Sequence, residues 1–133
     1  MTIFLGKGCA GEQDLQSAKI QYTANTRGFY ERIVIQDRKM TVMRDRNDKT
    51  GTTTAVSDAD WKKLVSEFSK ITLTELPNLK APTEKRFYDG APIGDLIVTY
   101  QGQEYQSSAF DHGTPPAAIA ALVNHITALA KQP

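Results

Sequence analysis

Two segments of this chain carry apolar residues at helical spacing, and the other regular stretches alternate. Trp61, Leu64, Val65, Phe68 and Ile71 fall on one face of a helix, because side chains three and four residues apart stack on the same side. Ile119, Leu122, Val123, Ile126 and Leu129 do the same near the end of the chain. Each helix is apolar on one face only, so each must lie against another apolar surface. Ser57 stands as N-cap of the first, with Asp60 at the capping-box position. Thr114 opens the second, with Pro115 at its first position, where a missing N–H costs nothing, and Lys131 stands near its C-terminal dipole end.

The surface they need is a sheet. Ile20, Tyr22 and Ala24 alternate with polar neighbours; Phe29 to Gln36 is rich in aromatic and β-branched residues; Lys39 to Arg44 and Thr52 to Val56 follow across short connections. Asn47-Asp48-Lys49-Thr50-Gly51 reads as a hairpin-like loop, with Gly51 able to take a positive φ. After the first helix, Asp95 to Tyr100 and Glu104 to Phe110 read as two more strands around Gln101-Gly102-Gln103. The order β-β-β-β-α-β-β-α predicts an α+β fold: an antiparallel sheet of about five to six strands with both helices on one face. Arg32, Gln36, Thr99 and Gln106 are expected on the other face.

A chain of 133 residues suits one domain with one core. Residues 1–16 are expected to be a flexible tail and residues 17–131 the domain. Sixteen Lys and Arg against fifteen Asp and Glu argue against a nucleic-acid partner, which needs a strongly basic footprint. No apolar run approaches a membrane span. The single cysteine, Cys9, excludes an intramolecular disulfide and any multi-cysteine metal site. Small residues before Cys9 and a polar tether after it suggest a bacterial lipoprotein processing site, although Lys7 and the short apolar stretch Ile3 to Leu5 fit that pattern poorly. A lipid on Cys9 is the one membrane attachment the sequence offers.

Unusual polar chemistry concentrates in two places. Leu73 to Gly94 is long and irregular, broken by Pro77, Pro82 and Pro92, and connections of that length are often binding loops. Within it, Lys85-Arg86-Phe87-Tyr88-Asp89-Gly90 mixes cations with aromatics, a composition favoured at interaction hot spots. The bland alternative has Phe87 and Tyr88 docking the loop on the sheet while Lys85 and Arg86 stay solvated. The second place is Asp111-His112-Gly113. Asp89, Asp111 and His112 would form a metal or hydrolytic site if the two loops met; alternatively, Asp111 and His112 bond nearby backbone N–H groups and end a strand. A nucleophile set can be drawn from Ser107 or Ser108 with Asp111 and His112, but no nucleophile elbow accompanies it. His125 flanks the apolar stripe of the last helix. No phosphate-binding glycine motif is present.

The segments Phe87-Tyr88-Asp89-Gly90-Ala91-Pro92, Leu96-Ile97-Val98-Thr99-Tyr100 and Phe110-Asp111-His112-Gly113 with Pro115-Pro116 resemble an uncharacterised bacterial family of small α+β domains, often secreted or lipoproteins. The resemblance covers Ile20 to Leu129 and implies no activity. The expected function is therefore a non-enzymatic binding or accessory module of the bacterial envelope, with the cytoplasm as the alternative location, an unknown protein or small-molecule partner and no cofactor or metal. Its candidate surface is Lys85, Arg86, Phe87, Tyr88, Asp89, Asp111 and His112. The alternatives are a small enzyme using Asp89, Asp111 and His112, and an inhibitor or immunity-type protein.

Overall fold

A computed structural model of the chain describes residues 15–88 and 90–131. Cys9 and Asp89 lie outside the described residues. Strands β1 (Ala18–Thr26), β2 (Phe29–Gln36), β3 (Lys39–Met43) and β4 (Thr52–Ala55) precede helix α1 (Asp58–Ser69); β5 (Ile93–Tyr100), β6 (Gln103–Gln106) and β7 (Phe110–Asp111) precede helix α2 (Ala117–Ala130). The seven strands make one antiparallel sheet in the order β4-β3-β2-β1-β5-β6, with β7 paired to β5 beyond the end of β6. The α+β class and the predicted helices stand. The domain begins earlier than expected: Leu15, assigned to the tail, is only 1% exposed and belongs to the core.

Register decides which face is wet. Ile20 pairs Ile35 on one side and Val98 on the other; Tyr22 pairs Ile33 and Leu96. With period-two alternation these side chains share one face. That face packs on Trp61, Leu64, Phe68 and Ile71 of the first helical segment and on Ile119, Leu122, Val123, Ile126 and Leu129 of the second. The opposite face carries a polar ladder: Arg32 donates to Gln21 (2.7 Å), while Thr23 (2.7 Å) and Gln106 (2.9 Å) both donate to Asp95. His125 joins the helices, with Nδ1 2.9 Å from Glu67 and Nε2 3.1 Å from Asp60.

Two boundaries differ from expectation for identifiable reasons. Glu104 to Phe110 does not run as one strand. Ser107 keeps its backbone bond to Leu96 O (2.8 Å), and its Oγ accepts the Leu96 N–H (2.9 Å) in place of a backbone carbonyl. Ser108 then turns away: its N–H donates to Leu76 O (3.2 Å) and its hydroxyl to Leu79 O, in and just after the 3-10 turn Leu73–Asn78. Pairing with β5 resumes at Phe110 opposite Gly94. Helix α2 starts at Ala117 with Pro116 as N-cap and no side-chain cap, not at Thr114. Pro116 disfavours a helical conformation at Pro115, and Thr114 is engaged elsewhere, donating its N–H to Asp111 O (2.9 Å). Ser57 does cap α1: its Oγ accepts the Asp60 N–H (3.2 Å).

Gly94 marks where β1, β5 and β7 press together. A Cβ there would lie 2.9 Å from the Tyr22 hydroxyl and 3.0 Å from the Phe110 ring. Gly94→Ala is therefore expected to destabilise the protein by about 1–3 kcal/mol through overpacking. Urea unfolding measures this, and a neutral effect would contradict the packing described.

Candidate functional site

The connection between α1 and β5 carries two short regular pieces, the 3-10 turn Leu73–Asn78 and a second 3-10 turn, Lys85–Tyr88. A helical turn leaves its first N–H groups without internal acceptors. Here the acceptor comes from far along the chain. Asp111 Oδ2 accepts the Lys85 N–H (2.7 Å) and the Thr83 hydroxyl; Oδ1 accepts the Arg86 N–H (2.9 Å) and the Arg86 guanidinium (3.1 Å). A carboxylate offers about four lone-pair sites, and four donors fill them. Asp111 is 1% exposed. Burial pushes its pKa up, but the hydrogen bonds from Thr83, Arg86 and Lys85 outweigh this and hold the carboxyl well below its ordinary 3.8. The other end of the loop is fastened by the His112 N–H to Pro92 O (2.9 Å) and the pairing of Ile93 with Asp111.

This anchoring reverses the bland expectation for Arg86, Phe87 and Tyr88, and leaves Lys85 solvated as that expectation had it. Arg86 is drawn in: its guanidinium bonds Asp111 and Thr83 O (2.9 Å), lies 4.4 Å from the Phe87 ring centre, and leaves the side chain 10% exposed. Phe87 (71% exposed) and Tyr88 (72%) face solvent. Lys85 is exposed as well.

His112 faces the interior edge. Its Nδ1 lies 2.6 Å from the Tyr22 hydroxyl, and its ring centre lies 5.8 Å from that of Tyr22 and 5.5 Å from that of Phe29. Desolvation lowers the His112 pKa below its ordinary 6.5; Glu31 opposes this and Lys131 adds to it. Burial, with Glu31 and Asp95 nearby, pushes the Tyr22 phenol well above its ordinary range, so it stays protonated. Asp111 and His112 thus have separate partners rather than one another. Ser107 and Ser108 are likewise committed to the backbone, at Leu96, at Ser108 O and at Leu79. Among the described residues, no group of three or more His, Cys, Asp or Glu side chains could hold a metal ion.

Two residues of this region escaped the sequence reading. Phe29 (37% exposed) and Ile93 (45%) are the remaining large apolar side chains exposed among the described residues. Phe29 follows the β1–β2 turn and stacks by His112; Ile93 opens β5 opposite both Asp111 and Asn25. Each is the first residue of its strand, Phe29 with the parity of Ile33 and Ile35 on the helix-covered face and Ile93 with the parity of Asp95 on the polar face. Phe29, Phe87, Tyr88 and Ile93 therefore share one end of the sheet, the end that holds the Asp111–His112 corner, with Phe29 and Ile93 on its two faces. No family model matches the chain, and no curated protein matches it.

Asp111→Asn would set an amide N–H₂ among donors and leave Arg86 without its counter-charge. It is expected to cost about 3–5 kcal/mol, as for other broken buried ion pairs, measured by urea unfolding; a loss below about 1 kcal/mol would contradict the anchoring role. The pH dependence has a definite sign. His112 and Asp111 both have folded pKa values below their ordinary 6.5 and 3.8, so their contributions are complete above those values and are lost as the pH falls through the folded ones. The unfolding midpoint should decline as the pH falls from 6.5 toward the folded His112 value, and again as it falls below 3.8 toward the folded Asp111 value. A midpoint that rises on acidification would contradict this.

Proposed function

We propose that this protein is a non-enzymatic binding module whose working surface is the end of the sheet around the Asp111–His112 corner. One observation carries the reading: all four large apolar side chains exposed among the described residues collect there, two of them on a loop held by a buried ion pair. Gathered exposed apolar side chains on a folded domain usually mark an interaction site. The hydrogen bonds to Asp111 fix the turn before any partner arrives, which reduces the ordering cost of binding. Phe87 and Tyr88 stand out from the surface, a form suited to a protein partner. Arg86, Asp111 and His112 act beneath the surface as positioning groups; Lys85 borders it.

The bacterial envelope is the proposed location. That part rests on the residues around Cys9 and on the family resemblance. Among the described residues no helix is long and apolar enough to cross a membrane.

The paired substitution Phe87→Ser and Tyr88→Ser tests the surface. Both side chains are mostly exposed, so stability should change by no more than about 0.5 kcal/mol. Proteins enriched by the wild type from an envelope extract, identified by mass spectrometry, should be lost with the variant. Identical enrichment by both would overturn the proposed surface.

A further inference from the structure

The apolar end of the sheet runs into a basic hollow. A shallow surface depression of about 340 Å³ lies between the β1–β2 turn and the loop after β3, lined among others by Arg27, Phe29, Tyr30, Arg44, Asp45 and Arg46. Phe29 belongs to both regions, since its ring also lies against His112. Three arginines face one acid in this lining, Asp45, whose Oδ1 accepts the Asn47 N–H (2.9 Å).

The arginines differ in how they are held. Arg44 is committed, donating to Ala130 O and lying 3.6 Å from Glu31. Arg46 is fixed without an ion pair among the described residues: it donates to Thr26 O (2.7 Å) and lies over the Tyr30 ring at 5.4 Å. Arg27 is exposed at the turn and forms no ion pair among the described residues. A guanidinium held by a carbonyl and an aromatic face still has donors to offer, in a geometry that suits carboxylates.

Building on the surface proposed above, we infer that Arg27 and Arg46 form an acid-recognition pocket, and that the partner is a protein segment carrying carboxylate side chains beside apolar ones. The carboxylates bind in the hollow while the apolar residues cover Phe29, Ile93, Phe87 and Tyr88. A nucleic acid would also supply anions. The near-neutral chain and the apolar border favour a protein, because nucleic-acid affinity depends on many phosphate contacts along an extended basic surface.

The test selects a random phage-displayed peptide library on the full chain. Enriched peptides are then synthesised and titrated by fluorescence anisotropy, with a single-stranded DNA oligonucleotide in parallel. Enriched peptides should place Asp or Glu next to apolar residues. Arg27→Glu, an exposed change, should weaken them by about tenfold or more. Replacing their Glu and Asp by Gln and Asn should do the same, and Phe87→Ser with Tyr88→Ser should weaken them too. Peptides insensitive to Arg27→Glu but lost with the Phe87/Tyr88 variant would overturn the acid pocket and leave the apolar surface standing. Insensitivity to both would overturn both. Enrichment of only basic or uncharged peptides, no enrichment, or tighter binding of the oligonucleotide would each overturn the inference.

Discussion

The Asp111 carboxylate is the interaction on which this architecture turns. Burying a charge is costly, and the cost is offset only when its lone pairs are satisfied and a counter-charge is near. Asp111 meets both conditions, with two backbone N–H groups, a hydroxyl and the Arg86 guanidinium around it. All of these donors lie between Thr83 and Arg86, more than 20 residues earlier in the chain. A segment with little regular structure of its own is thereby fixed to the end of a strand. The strand is only two residues long, Phe110–Asp111, yet it pairs with β5 and so places the carboxylate at a rigid position.

The surface chemistry follows from that arrangement. Because Arg86 serves the buried pair, it cannot act as a free cation, and its guanidinium supports the Phe87 ring from beneath. The aromatic side chains are thus the outward part of the loop and the cation the inward part. On the far side of the corner, Tyr22 and His112 bind one another, and His112 presents a face to Phe29. The result is a set of exposed apolar groups whose backbone supports are ordered independently of any ligand. The arginine hollow beside Phe29 adds charge at the border.

Periodicity in the sequence was enough to find both helices, the four N-terminal strands and the wet and dry faces of the sheet, because each depends on neighbours a few residues away. What lay beyond it depended on distant partners. The division of labour between Arg86 and Phe87 is set by Asp111, and an irregular loop has no period from which to read which side chain points inward. The break in Glu104 to Phe110 arises because Ser108 finds acceptors at Leu76 and Leu79, about 30 residues earlier. The late start of α2 was partly legible: the Pro115-Pro116 pair restricts its first residue, although Thr114 has the look of a cap. Phe29 and Ile93 required the sheet register before their shared end of the sheet could be seen.

The most direct test of the anchoring role is native-state amide hydrogen exchange at Lys85 and Arg86. Their N–H groups have Asp111 as acceptor although the Lys85 side chain is exposed. If the buried carboxylate holds the loop, both amides exchange slowly, with an opening free energy close to that of the β5 amides. Exchange at the rate of an unstructured peptide, with β5 still protected, would contradict the account.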